Sequence, residues 1–326
     1  MAEPAVSART QAERRLAEIE KSVPNHQEIA LRSLQASAAH LLCVAGLDEG
    51  GHVEMRDAEV ADCKESGVFT YGEGSTVLIV GGGISRSKQF HDVDCQQGGT
   101  TTLQEVKIAD CRETGVMSRD PGSKVVLQGG SVSEAKDFYG VCCQGGGGAE
   151  VRGAKIARSK KSGVLSRDAG SQVVVQGGSI TDSGEDGVRC ELGGQAEVQG
   201  VAIGMCREAG MLSRDLGSKV VVQGGSITEV RHPGVCCELG GQADIQGVEI
   251  NPVKSSGVFC KGQGSKVVVQ GGSIRNAGRG CSVEQGGQAE VHGMVIDNCY
   301  FSAFYCWRGT LSHSGCTITN CSLCAR

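Results

Sequence analysis

The chain has 326 residues, of which 51 are glycine, 5 are proline and only 3% are aromatic, and its formal net charge is −5. This composition indicates many short strands joined by tight turns rather than helices. The mild negative charge and the lack of a basic run argue against a nucleic-acid partner. The first residues lack the apolar stretch of a secretory signal, and no segment approaches the roughly 18 apolar residues of a membrane span.

Residues 1–42 lack the glycine pattern of the later sequence and are predicted to form two helices, about 8–21 and 26–42, separated at Pro24. Each has a modest apolar stripe, which suits a helical cap over the strands that follow. A partner-binding or dimerising helix is the alternative. We therefore predict two domains, an N-terminal cap or extension over 1–42 and a strand domain over 43–324.

The strand domain repeats one phrase. "GSKVVVQGGSI" occurs at 217–227 and again at 264–274, and its final Ile or Val recurs every 22–24 residues. Twelve such positions are present: Val60, Ile84, Ile108, Val132, Ile156, Ile180, Ile203, Ile227, Ile250, Ile274, Ile296 and Ile318. Glycine lies three residues earlier in all but two cases, where Asp57 and Glu105 stand instead. A fixed glycine predicts a bend with positive φ or a close backbone approach.

Apolar residues alternate with polar ones within each phrase, which predicts strands with one inward face. Seven residues before the repeated Ile or Val, large and small residues alternate from one repeat to the next, as in Val125, Ala149 and Val173. Each repeat is therefore predicted to be one coil of three short strands, with equivalent positions stacked. About 12 coils at roughly 4.8 Å would give a rod on the order of 50 Å long.

These motifs resemble the repeat of right-handed parallel β-helices of the pectate-lyase-like superfamily. That superfamily includes sugar-cutting enzymes and the carbohydrate-binding/sugar-hydrolase (CASH) domains of F-box substrate receptors. The resemblance covers about residues 43–324 and implies an all-β, single-stranded right-handed parallel β-helix. It does not choose between these functions.

Seventeen cysteines occur in the chain. At inward positions they interchange with Ser, Ala and Val, as small buried residues do, so we predict reduced structural thiols. Such thiols predict a reducing compartment, the cytoplasm or an organelle stroma. Only Cys306, Cys316, Cys321 and Cys324 resemble a zinc-ligand set. Because Cys306 and Cys321 belong to the inward columns, neither a metal nor another cofactor is expected.

In one outward column, positive residues alternate with Glu or Gln on successive coils. Its members are Arg119, Arg167, Glu191, Arg214, Glu238, Lys261 and Glu284. Equal charges stacked on every coil would repel, so this charge ladder is interpreted as structural. Binding of an acidic ligand by its arginines is the alternative.

Aromatic residues concentrate near the C-terminus, where Tyr300, Phe301, Tyr305 and Trp307 fall within eight residues. Closure of the last coil would explain them. Aromatic side chains also dominate binding hot spots, so these four are the candidate partner-binding residues.

No catalytic constellation stands out. The chain has no Asp-Asp pair, and Asp120, Asp168 and Asp215 recur regularly instead of forming one tuned site. The function predicted is a non-catalytic structural or recognition scaffold that binds a protein, or secondarily a glycan. The alternative is a carbohydrate-active hydrolase or lyase; an enzyme is disfavoured but not excluded, and no catalytic residue is assigned.

Overall fold

The computed structural model describes residues 29–32, 44–46 and 50–322. Within these ranges every regular element is a β-strand, and no helix is present.

The strands are short and follow one another at regular intervals. The first twelve are β1 (Ile29–Arg32), β2 (Val44–Gly46), β3 (His52–Arg56), β4 (Glu59–Ala61), β5 (Val68–Tyr71), β6 (Thr76–Val80), β7 (Gly83–Ser85), β8 (Val93–Gln96), β9 (Thr100–Gln104), β10 (Lys107–Ala109), β11 (Val116–Arg119) and β12 (Lys124–Gln128). The next twelve are β13 (Ser131–Ser133), β14 (Val141–Gln144), β15 (Gly148–Arg152), β16 (Lys155–Ala157), β17 (Val164–Arg167), β18 (Gln172–Gln176), β19 (Ser179–Thr181), β20 (Val188–Glu191), β21 (Gln195–Gln199), β22 (Ala202–Gly204), β23 (Met211–Arg214) and β24 (Lys219–Gln223). The last thirteen are β25 (Ser226–Thr228), β26 (Val235–Glu238), β27 (Gln242–Gln246), β28 (Glu249–Ile250), β29 (Ser256–Lys261), β30 (Lys266–Gln270), β31 (Ser273–Arg275), β32 (Arg279–Glu284), β33 (Gln288–His292), β34 (Val295–Asp297), β35 (Ser302–Trp307), β36 (Thr310–Ser314) and β37 (Thr317–Thr319).

The strands form three parallel sheets that wind into a right-handed solenoid. Sheet A contains thirteen strands, β1, β3, β6 and every third strand to β36. Sheet B contains twelve strands from β4 to β37, and sheet C contains twelve from β2 to β35. Each strand pairs with the strand one coil away, and the solenoid makes about 11 turns. The all-β right-handed parallel architecture predicted from the repeat is confirmed.

The core is built from columns of equivalent side chains. In sheet A, Val125 pairs with Ala149 and Ala149 with Val173, so large and small residues alternate as predicted. In sheet B the repeated Ile stacks on itself, and Ile156 and Ile180 are both buried. The packing is filled by small branched side chains because three short strands leave a narrow interior.

The turn between sheets A and B requires positive φ, as the glycine pattern predicted. Gly177 has φ +63°. The two exceptional residues, Asp57 and Glu105, adopt φ +49° and +54°, so the backbone bend is kept where glycine is absent. A non-glycine residue pays a steric cost in this conformation, which explains why glycine dominates the position.

The predicted N-terminal helical cap is not supported. Ile29–Arg32 is a strand, in register with His52–Arg56 in sheet A, so the expected helix over 26–42 is wrong at these residues. The parallel ladder provides hydrogen bonds for an edge of sheet A that would otherwise be bare, and this outweighs a weak helical pattern. The helix predicted over 8–21 and the rest of 26–42 lie outside the described residues.

A second glycine column precedes the strands of sheet C. At Gly187 an added Cβ would lie 2.5 Å from Cγ2 of Ile203 and 2.6 Å from the carbonyl oxygen of Gly210. Both neighbours are parts of the next coil, so they cannot move independently. This column sets how closely successive coils approach at the corner between sheets B and C.

We predict that Gly187→Ala lowers the free energy of unfolding by about 1–3 kcal/mol, because it overpacks this corner. The matched control is Gly148→Ala in β15, where a new Cβ would make only ordinary contacts at 3.7 and 3.8 Å. Denaturant unfolding of both variants provides the measurement. Equal losses would show that the corner tolerates a methyl group.

Candidate recognition surfaces

The aromatic residues near the C-terminus lie on β35, the last described strand of sheet C, and in the two residues before it. Tyr300, Phe301 and Trp307 are 75%, 68% and 43% exposed, and Tyr305 is half-buried. We call these four residues the aromatic end surface. Phe304, on the opposite face of the same strand, is buried and stacks on His313 with ring centroids 4.4 Å apart. Phe304 therefore closes the core, and the four others do not.

Two arginines accompany the exposed rings. The guanidinium carbon of Arg279 lies 4.1 Å from the ring centroid of Tyr305 and 5.8 Å from that of Phe301. The guanidinium carbon of Arg308 lies 4.9 Å from the Trp307 ring. Cation–π contacts of this kind hold aromatic rings in place while leaving much of their surface free.

The last coil also leaves part of the core uncovered. Ile318, in the column of buried isoleucines, is 44% exposed, and Cys306 of the inward thiol column is exposed as well. Leu311 is only partly buried against the core. Residues that would be interior in any earlier coil are accessible here because no further described strand lies over them.

The charge ladder lies on the outer face of sheet C. In register, Arg167 faces Glu191, and Arg214 faces Glu238. Arg167 and Glu191 form an ion pair. Nη2 of Arg214 lies 3.7 Å from Oε2 of Glu238. Arg119 instead binds Asp94 at 2.7 Å.

The remaining ladder members, Lys261 and Glu284, are in register with each other but form no ion pair within the described chain. Glu191 is the most enclosed member: burial alone would raise its pKa, but Arg189 and Arg167 outweigh burial and hold the pKa below the ordinary value. The arginines of the ladder thus already have carboxylate partners.

The recurring Asp residues accept hydrogen bonds from the preceding coil. Oδ2 of Asp168 accepts a hydrogen bond from the backbone N–H of Gly145 at 3.2 Å, and Oδ2 of Asp215 accepts one from Leu192 at 3.3 Å. Asp120 accepts one from the side-chain amide of Gln97 at 3.1 Å. Each carboxylate thus fastens its turn to the turn of the preceding coil, a structural use for a motif that could be mistaken for catalytic.

A buried polar cluster on sheet C escaped the sequence analysis. It consists of His91, Asp94, Glu113 and Arg119, and we call it the His91 cluster. Nδ1 of His91 lies 3.7 Å from Oε2 of Glu113. Nδ1 of His91, Oδ1 of Asp94 and Nε of Arg119 are buried without a hydrogen bond. The sequence contained a signal: Asp92, beside His91, occupies the level of Gly67 and Gly115 in the second glycine column.

Burial controls the protonation of this region. It lowers the pKa of His91 to about 4, with Asp94 opposing the shift and Arg119 adding to it. Burial also raises the pKa of Asp92 to about 6 and raises that of Glu113 above its ordinary value. His91 is therefore neutral at pH 7, and the fold resists its protonation.

We predict that His91 makes the fold sensitive to acid. Its folded pKa lies below the unfolded value of about 6.5, so the unfolded chain binds the proton first and stability falls as pH drops from about 6.5 to about 4. His91→Gln should reduce this loss by an amount on the order of 3 kcal/mol at most. Urea unfolding at several pH values measures it, with exposed His232→Gln as the control. Parallel pH profiles for wild type and His91→Gln would contradict the assignment.

A second charged group lies three coils beyond Arg119, around Asp186. Burial raises the pKa of Asp186 to about 7, although Arg189 and the backbone N–H of Ala209 favour its charged form. Oδ2 of Asp186 lies 3.6 Å from Nη1 of Arg189. The guanidinium of Arg189 also contacts Glu185 and Glu191. Asp186 is the described carboxyl group best suited to hold a proton near neutral pH.

Fourteen described cysteines lie outside disulfides, most of them buried. Burial raises the pKa of Cys95 to about 11 and that of Cys206 to about 12, so these thiols are poor nucleophiles. Cys63 is disulfide-bonded, so the inward columns are not thiols throughout.

Among the described residues, no group of three or more His, Cys, Asp or Glu side chains is arranged to hold a metal ion. Cys324 of the zinc-like sequence set lies outside them. The described part of the chain contains no helix that is long and apolar enough to cross a membrane.

Comparison with known families identifies the class of fold. Residues 91–237 match the family model described as "Right handed beta helix region". The resemblance to right-handed parallel β-helix repeats is therefore confirmed. No curated protein matches the sequence.

Two solved structures are similar to this chain. The catalytic unit of a thermostable GH87 alpha-1,3-glucanase from Streptomyces thermodiastaticus strain HF3-3 is 15% identical, with a TM-score of 0.52 over 84% of this chain and 65% of that one. A TibC-catalyzed hyper-glycosylated TibA55-350 fragment is also 15% identical, with a TM-score of 0.29 over 90% and 97%. This chain spans only 65% of the glucanase unit, and identity this low shows the fold alone.

Proposed function

We propose that this protein is a non-catalytic β-helix that binds a protein partner through the aromatic end surface. The observation that carries the proposal is the exposure of Tyr300, Phe301 and Trp307, which lie on the edge strand β35 and immediately before it. Elsewhere in the described chain the exposed large apolar side chains are mostly aliphatic, such as Leu192, Leu216 and Leu239. Exposed aromatic rings next to arginines have the composition of a binding hot spot.

A protein partner is favoured over a glycan for this surface. The rings lie beside Arg279 and Arg308, and the last described coil also has partly uncovered core residues such as Ile318. An apolar centre surrounded by cationic groups suits a protein surface that has an apolar patch and acidic neighbours. A glycan that stacks on Trp307 is the alternative ligand.

We also propose that the protein functions in a reducing compartment. Support comes from the fourteen described cysteines outside disulfides, many of which face the core and would be available for mispairing during oxidative folding. The disulfide of Cys63 argues against a reducing compartment.

We predict that Tyr300→Ala with Trp307→Ala weakens partner capture at least tenfold without lowering the thermal unfolding temperature, because both side chains are largely exposed. The control is Phe90→Ala with Leu216→Ala, which removes two exposed apolar side chains elsewhere. Quantitative pull-down followed by a binding titration with the purified partner gives the measurement. If the end-surface variant and the control retain the partner equally, the aromatic end surface is not the binding site.

A glycan-active enzyme is the second candidate, and Asp186 is the observation that favours it. A carboxyl group with a pKa of about 7 is suited to act as a general acid in glycoside hydrolysis. Glu185 and Glu208 are the nearby carboxylates whose charge raises this pKa further. The side chain of Asp186 is buried, however, and contacts Arg189, which is the environment of a structural carboxyl group.

We expect the purified protein to release no reducing ends from soluble α- or β-glucans, because no open carboxylate pair surrounds Asp186. A reducing-sugar assay tests this, with Asp186→Asn and exposed Asp182→Asn as matched variants. Hydrolysis that is lost in Asp186→Asn and retained in Asp182→Asn would make the chain an enzyme.

A further inference from the structure

A column of cations runs along the corner between sheets B and C. Each member follows a strand of sheet B at the equivalent place in its turn. The members are Lys64, Lys88, Arg112, Lys136, Lys160, Arg207, Arg231 and Lys254, which we call the cation column. Main-chain hydrogen bonds fix the alignment: the N–H of Lys88 binds the carbonyl of Cys63 at 2.9 Å, and that of Lys160 binds Ala135 at 2.8 Å. The same bond recurs at Arg231 and Lys254.

The eight cations are exposed, and most of them have no anionic partner. Lys136 binds Asp110 at 2.5 Å, and Arg112 lies 3.9 Å from Asp137. The other six form no ion pair within the described part of the chain. The charges of the column are therefore largely free to meet a ligand.

Only one level between Lys64 and Lys254 lacks a cation, and the structure explains the gap. Gly184 occupies that level, and an added Cβ there would overlap the carbonyl oxygen of Lys160. The gap thus reflects local packing. A cation is present at each of the eight remaining levels of these nine coils.

Stacking does not require such a column. Like charges on adjacent parallel strands repel, and the charge ladder on sheet C avoids this by alternating Arg with Glu. The cation column repeats one sign instead, and within the described chain only Lys136 and Arg112 have ion-pair partners that offset the repulsion. A feature that is unfavourable for the fold and is repeated eight times is best explained by an external anion.

The geometry restricts the kind of anion. The column is a single straight row with a step of roughly 4.8 Å, the spacing between parallel strands. That step is close to the length of one sugar residue in an extended pyranose chain. Beneath Lys88, Arg112 and Lys136 the row borders an open cleft of about 570 Å³. Arg86 also lines this cleft, as do Asp62 and Asp110, which pair with Arg86 and Lys136.

We propose that the cation column binds a linear sulfated polysaccharide, with about one anionic group facing each coil. Nucleic acid fits less well. A duplex has two rows of phosphates, whereas the column is a single row, so a duplex would engage it with one strand only. Single strands are usually held by a succession of stacked aromatic side chains, whereas the levels of the column from Lys64 to Lys254 hold cations or glycine.

Heparin binding by the full chain tests the proposal. The column variant combines Lys88→Gln, Lys160→Gln and Arg231→Gln. The control combines Lys107→Gln, Lys155→Gln and Arg275→Gln, which removes the same charge from exposed positions outside the column. The dissociation constant is measured by titration at several salt concentrations, and thermal unfolding is recorded for each protein.

Wild type should bind heparin at low salt, and the column variant should bind at least tenfold more weakly. For the column variant, the magnitude of the slope of log affinity against log salt should decrease by about 2. Three charges are removed, and roughly 0.7 counterions are released for each neutralised charge on a single-stranded polyanion. The control should stay within twofold of wild type. The column variant should unfold at the same temperature as wild type or a higher one, because repulsion has been removed.

Three results would overturn the proposal. In the first, wild type does not bind heparin at low salt. In the second, the column variant and the control weaken equally. In the third, single-stranded DNA of matched charge binds more tightly than heparin and shows the same loss in the column variant, which would assign the column to nucleic acid. Heparin binding does not depend on partner capture by the aromatic end surface. The two proposals can therefore be refuted independently.

Discussion

Parallel pairing between strands one coil apart is the constraint from which the rest of this structure follows. Each strand inside a sheet is hydrogen-bonded to the equivalent strands of the two adjacent coils. Equivalent residues on adjacent coils are therefore roughly 4.8 Å apart. A side chain is therefore acceptable only if a column of similar side chains is acceptable. Isoleucine satisfies this rule in sheet B, and alternating Val and Ala satisfy it in sheet A. Charged groups satisfy it by alternating in sign, as Arg167 and Glu191 do.

The same rule decides how much of the protein could be predicted from its sequence. Period-two alternation and the recurring glycine identify strands and turns, because both depend on local geometry. The N-terminal strand β1 was missed because its pairing with β3 is a tertiary interaction that outweighs local helix propensity. The disulfide of Cys63 was missed because a column in which Cys interchanges with Ser gives no sign of a bridge at one member.

The candidate sites were harder to predict than the fold. The aromatic end surface was recognisable because its members are close together in sequence. The members of the cation column are 23 or 24 residues apart in most cases, so no basic run exists and the net charge of −5 gives the opposite impression. The His91 cluster is hidden for another reason: the repeat pattern gives no sign that Asp94 and His91 are buried. Only Asp92, in a glycine column, marked the coil as unusual.

The uncovered core of the last coil has a consequence for how the protein comes apart. In a solenoid each coil is stabilised by two neighbours, and a coil with only one neighbour has about half of that support. Ile318 and Leu311 have a buried surface on one side only. Among the described strands, β36 and β37 pair on one side only, so we expect their amides to be less protected from hydrogen exchange than those of the central coils. Protection should then increase from coil to coil toward the middle of the solenoid.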